Sequence, residues 1–223
     1  MNDIDHLIQT ILICIIPVLF AVTLHEVAHG FTAKYFGDPT AFSAGRLSLN
    51  PIRHIDPFGS VLLPLLLFWS IGIPFGYAKP VPVDFSRLRN PRKQSGLVAL
   101  AGPGANFFMG LGWMIADVLM RGLGVTEPFF LGMADAGISI NAAMMVFNLI
   151  PIPPLDGGRI VTSILPIAVA RKYARIELYG MYVFIALVAL MYFHVLDGML
   201  KWAIGVVINL FYTLVSPLTF LLS

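Results

Sequence analysis

Apolar residues gather in six blocks along the chain, at 7–24, 60–73, 97–120, 138–152, 178–196 and 199–222, and the charged positions fall almost entirely in the segments between them. A helix needs about 20 apolar residues to cross the hydrocarbon of a bilayer, so most of these blocks predict spanning helices. The block at 60–73 is the exception. It is short, it is interrupted by Pro64 and Gly72, and Pro74, Pro80 and Pro82 beyond it rule out a continuous helix. It reads as a re-entrant segment.

Basic residues near span ends mark the cytoplasmic side. None precedes Lys34, so the first helix starts outside and ends inside. Lys34, Arg46 and Arg53 come before the 60–73 block, and Lys79, Arg87, Arg89, Arg92 and Lys93 come after it. A re-entrant block keeps both groups in the cytoplasm; a sixth true span violates the charge rule once and is the second topology. The chain then crosses outward over 97–120, returns near 138–150, and makes a last hairpin turned outside at "HVLDG". The predicted fold class is an all-α polytopic membrane protein of about five to six transmembrane helices with a re-entrant segment. Phe42, Ala44, Leu47 and Leu49, within "FSAGRLSLN", add a short membrane-associated β-strand or hairpin over 42–50.

Composition agrees: 58% of the 223 residues are hydrophobic and 12% charged, against roughly 45–50% and about 25% in soluble domains. The first block has an acidic flank, Asp3 and Asp5, and no small-residue cleavage site, so it reads as a retained helix and not a signal peptide. Cys14 is the single cysteine, which excludes an internal disulfide. A net charge of +2, with basic residues scattered through loops, excludes nucleic acid as a partner. No repeat and no long polar segment divides the chain, so residues 1–223 are read as one membrane-embedded domain.

Chemistry concentrates where the first apolar block ends. In "LHEVAHG", residues 24–30, His25 and His29 stand four apart, so a helix puts both rings on one face with Glu26 beside them. This is the HExxH zinc arrangement, and ionisable groups at membrane depth cost about 2.5–3.5 kcal/mol each on insertion scales, so such a cluster points to function. A hydrolytic zinc takes three protein ligands and keeps one position for water, which leaves two histidines one ligand short. Counted inward from Lys34, His29 and His25 lie roughly 8 and 14 Å deep at 1.5 Å per residue. Asp156, which ends the returning helix on the same side, meets the requirement for a third ligand at that depth. Asp56 is the rival, but "NPIRHIDP" places it among turn residues. Asp117, Asp135 and Asp197 fall toward the outer side, and His6, His54 and His194 have no partner at ligand spacing. Pro151, Pro153 and Pro154 force unwound backbone before Asp156, which membrane depth tolerates where it is buried in protein or lines a wet cavity.

"HEVAHG" at 25–30, "AGPGANFF" at 101–108, "FNLIPIPPLDGGRI" at 147–160 and the "FGYAKPVPVD" segment resemble the site-2 protease family of intramembrane zinc metalloproteases, in its short prokaryotic form. The resemblance covers about residues 10–175, and HExxH with a downstream NxxPxxxLDG is highly specific. It implies one Zn2+ per chain on His25, His29 and Asp156, with Glu26 as general base. Asn148 and Asn106 are implied to position substrate or the catalytic centre. It also implies a prokaryotic inner membrane, a transmembrane protein or peptide as substrate, and the bilayer as surroundings. No PDZ-like insertion is read after the first ligand helix, nor a cystathionine-synthase-type domain after the last block. The expected activity is hydrolysis of peptide bonds in or near transmembrane segments. The rival is a metal-binding transporter or sensor on the same ligands, and the two part at Glu26, which only the protease needs for turnover. Substrate, trigger and oligomeric state are not legible.

Overall fold

The structure, a computed structural model, describes residues 3–63, Leu66 and 79–222. Eight α-helices form among these residues: α1 (Asp3–Tyr35), α2 (Thr40–Ser43), α3 (Pro91–Gly122), α4 (Pro128–Asn148), α5 (Asp156–Ile164), α6 (Ile167–Ala174), α7 (Gly180–Tyr192) and α8 (Asp197–Leu222). Five stretches are long and apolar enough to cross a membrane: Ile8–Tyr35, Pro91–Gly122, Pro128–Asn148, Ile167–Tyr192 and Asp197–Thr219. The fourth of them joins α6 to α7 through the 3-10 turn Arg175–Tyr179.

Helix boundaries follow local chemistry. Pro91 stands at the first position of α3, where its missing N–H is no loss, and the Asn90 side chain accepts from the Lys93 N–H. Pro128 opens α4 in the same way. The prolines after Asn148 stop α4, and the chain turns through 149–155 before α5 starts at Asp156.

α3 is the central helix, packed against α1, α4, α5 and α8, while α1 also packs on α4 and α4 on α8. Away from the site, Met114, Ile138, Ala142, Phe211 and Val215 knit α3, α4 and α8 together. Ala33, Leu88 and Val98, with Phe36, Val83 and Phe85 against them, join the end of α1 to the start of α3. This second cluster holds a strap, residues 79–90, across the foot of α1. The Val81 N–H donates to Glu26 Oε2 (2.8 Å), the Asp84 N–H to Asp38 Oδ2 (2.7 Å) and the Arg89 N–H to the Phe36 carbonyl (3.0 Å).

The predicted strand or hairpin at 42–50 does not form; no strand occurs among the described residues. Phe42 lies in the single helical turn α2, and Gly45 reverses the chain at a φ of +63°. Carbonyls within 42–50 that a ladder would use are taken by side chains instead: the Arg53 guanidinium binds that of Gly45, and the His54 ring pairs with that of Ser48. Most of 60–73 lies outside the described residues, and the re-entrant reading lies there with it. Just before it Asp56 caps the turn Pro57–Leu62 by accepting from the Gly59 N–H at 2.7 Å, the capping role expected of this residue.

Candidate active site

Two helices deliver the charged and imidazole groups to one point, and a third backs them. α1 carries His25 and His29 on one face, and α5 presents Asp156 from its first residue. α3 passes directly behind the rings, because Gly102 has no side chain. A Cβ there would lie 2.4 Å from His29 Nε2 and 2.6 Å from His25 Cε1, closer than atoms can stand. Gly157 and Gly158 serve Asp156 likewise: a Cβ on either would strike the backbone of Leu149 or Pro153 within 2.3 Å, so the 149–155 turn can fold tightly onto α5.

The ligand atoms converge. His25 Nε2 and His29 Nε2 are 3.1 Å apart, and each is 3.3 Å from Asp156 Oδ2. The opposite ring nitrogens are occupied: His29 Nδ1 lies 2.7 Å from the Val98 carbonyl and His25 Nδ1 2.6 Å from Asn106 Oδ1. A carbonyl oxygen only accepts, so His29 carries its proton on Nδ1 and turns a bare Nε2 lone pair toward Asp156. Asp156 Oδ2 is buried and has no hydrogen-bond partner. Lone pairs from two nitrogens and a carboxylate oxygen at such distances repel unless a cation lies among them. Two imidazoles and one carboxylate, with a cavity on the remaining side, fit the donor set of a hydrolytic zinc. Orienting contacts behind each imidazole are the usual company of such ligands.

The cavity has a volume of about 370 Å³, and Glu26, Asn148 and Arg159 share its lining with His25, His29 and Asp156. Glu26 reaches it one residue round the helix from His25, with one carboxylate oxygen fixed by the Val81 N–H. Asn148 ends α4 and donates to the Met144 carbonyl at 3.0 Å. Asn106 is elsewhere: it is fully buried behind His25 and does not line the cavity. Arg159 stacks over the Phe85 ring at 4.9 Å and pairs with Glu177, linking the strap to α5 and the turn before α7.

Among known proteins, the putative zinc metalloprotease YwhC of Bacillus subtilis is 36% identical to this chain over 210 residues, covering 92% of it and 93% of the relative. The chain belongs to peptidase family M50. The model of that family matches residues 124–191, which include Asn148 and Asp156 and lie beyond the HExxH pair. The putative zinc metalloprotease Rip2 of Mycolicibacterium smegmatis is 36% identical over 146 residues, 62% of this chain and 52% of Rip2. Rip2 of Mycobacterium tuberculosis is 35% identical over 145 residues, again 62% of the chain and 52% of the relative. No solved structure matches. The site-2 protease resemblance read from the motifs therefore holds for this M50 peptidase, and the transporter alternative is not favoured.

Sequence reasoning missed four contributors to the site. The Val98 carbonyl and the Val81 N–H are main-chain groups, which no residue type announces. Gly102 stood in plain view within "AGPGANFF", but its use depends on which helix crosses it. Asn141, whose side-chain oxygen accepts from the Asn106 amino group behind His25 at 3.0 Å, carries no motif at all.

Proposed function

We propose that this M50 peptidase is an intramembrane zinc metalloprotease in which His25, His29 and Asp156 hold one zinc ion and Glu26 is the general base. The observation that carries this reading is the convergence of two imidazole nitrogens and a carboxylate oxygen, within 3.3 Å of one another, at the wall of a cavity that Glu26 also lines. The bound zinc supplies Lewis acidity, polarising the scissile carbonyl and acidifying a water.

The chain's own residues do the rest. Glu26, held by one oxygen on the Val81 N–H, uses the other to take the water's proton and passes it to the leaving amine. Asn148, on the cavity wall, is placed to donate to a substrate carbonyl, and Asn106 acts from behind through His25. The substrate is a membrane protein with a transmembrane segment. Its peptide groups are hidden while it is helical, so the bond to be cut must unwind locally before it enters the cavity. The basic residues from the foot of α1 to the start of α3, Lys34, Arg46, Arg53, Lys79, Arg92 and Lys93, support a cytoplasmic site in a prokaryotic inner membrane.

Terminal-fragment proteomics of native-host membranes tests this reading, comparing wild type with Glu26→Gln. New peptide ends inside transmembrane segments in the wild type, absent in the variant at equal zinc content, support it. Identical fragments under every growth and stress condition tried contradict it.

A further inference from the structure

His25 can offer zinc a bare Nε2 only if its proton sits on Nδ1, and the group facing Nδ1 is an amide, which presents either an acceptor or a donor depending on how it is turned. Asn106 Oδ1 faces it at 2.6 Å. The Asn106 amino group has three acceptors, Asn141 Oδ1 at 3.0 Å, the Ala21 carbonyl at 3.3 Å and, more weakly, Met144 Sδ at 4.0 Å. The Asn141 amino group in turn donates to the Gly137 carbonyl at 2.8 Å. Asn106 and Asn141 are both fully buried, so no water competes for these bonds.

Both ends of this chain are main-chain carbonyls, which cannot donate. The Gly137 carbonyl obliges Asn141 to point its amino group at it and its oxygen at Asn106. Asn106 must then turn its own amino group toward Asn141 and the Ala21 carbonyl, leaving its oxygen for His25. We infer that Asn141, a residue of α4 with no contact to the metal ligands, is a positioning residue that fixes the tautomer of His25 through Asn106 and so sets the affinity of the site for zinc. The inference rests on the reading of His25 as a zinc ligand.

The test measures zinc affinity of the full chain in detergent at fixed pH, starting from zinc-loaded protein and using a competing chelator. Asn141→Leu removes both bonds, and Asn141→Ser keeps a hydroxyl for Gly137 that is too short to reach Asn106. Each should lose about tenfold in affinity, the low end of what orienting contacts contribute at metal sites. Asn141→Asp still offers Asn106 an oxygen and, in the neutral form its burial favours, donates to Gly137; it should stay within about threefold of wild type, whereas a purely structural role would suffer from a buried carboxyl. If the leucine variant fails to fold, the contrast between serine and aspartate carries the same test. In an Asn106→Leu background, Asn141→Leu should add no further loss, since its route to His25 is already gone.

Serine and leucine variants within twofold of wild type would overturn the inference, as would an aspartate variant as weak as serine, or losses that add in the double variant. His25→Ala is measured alongside. If it keeps full zinc affinity, the ligand reading itself fails; if it loses zinc while the Asn141 variants do not, only the role of Asn141 fails.

Discussion

Glu26, as the proposed general base, would divide binding from chemistry in this site. Its carboxylate lines the cavity but is not among the three converging ligand groups, and Val81 occupies one of its oxygens. Glu26→Gln should therefore keep its zinc and lose at least about 100-fold in peptide cleavage, the usual contribution of a general base. Asp156→Ala should do something different: it removes a ligand, and zinc and activity should disappear together on metal analysis of the purified chain. Residues of this kind were legible in the sequence because ionisable groups at membrane depth have few structural uses. Asp156 was separable from Asp56 by depth and neighbours, and Asp56 does cap a turn. Asn106 was legible only as a polar residue among glycines, and its placement behind His25 required knowing which face of α3 meets α1.

Helices set the site by how closely they approach, and the strap by what it touches. Gly102→Ala would put a methyl group where the imidazoles stand. It should weaken zinc binding by about tenfold or more, as loss of ligand orientation does, and chelator competition on the full chain measures it. Asp38, fully buried, accepts from the Thr40 N–H and hydroxyl and from the strap's Asp84 N–H. Asp38→Ala would strand those donors at a cost of about 1–3 kcal/mol. A lower thermal midpoint together with slower cleavage is the expected result, since the strap also carries the Val81 contact to Glu26. The spanning helices were readable from apolar length alone. The hairpin at 42–50 was not, because a few apolar residues do not decide between a ladder and a turn whose Gly45 and Ser48 carbonyls are claimed by Arg53 and His54.

The whole molecule places this chemistry at one end of a bundle organised around α3. Asp117, Arg121 and Asp135 form an ion cluster toward the opposite end, with Arg121 2.8 Å from Asp117 and 3.7 Å from Asp135. Charge distribution then predicts orientation. In a Cys14→Ser background, Lys79→Cys, an exposed position outside the spans, should react with a membrane-impermeant thiol reagent in inverted vesicles and not in intact cells. Zinc ties the helices together as well: a ligand present at about 1,000 times its Kd stabilises a fold by about 4 kcal/mol, so chelation should lower the thermal midpoint and added zinc should restore it. The proposed zinc site draws His25 and His29 from α1 and Asp156 from the first residue of α5, with Glu26 outside it. Metal analysis with zinc-edge X-ray absorption on the purified full chain tests this most directly. One zinc per chain with two imidazole ligands is expected, unchanged in Glu26→Gln and lost in Asp156→Ala. Zinc that survives Asp156→Ala, or departs with Glu26→Gln, would contradict it.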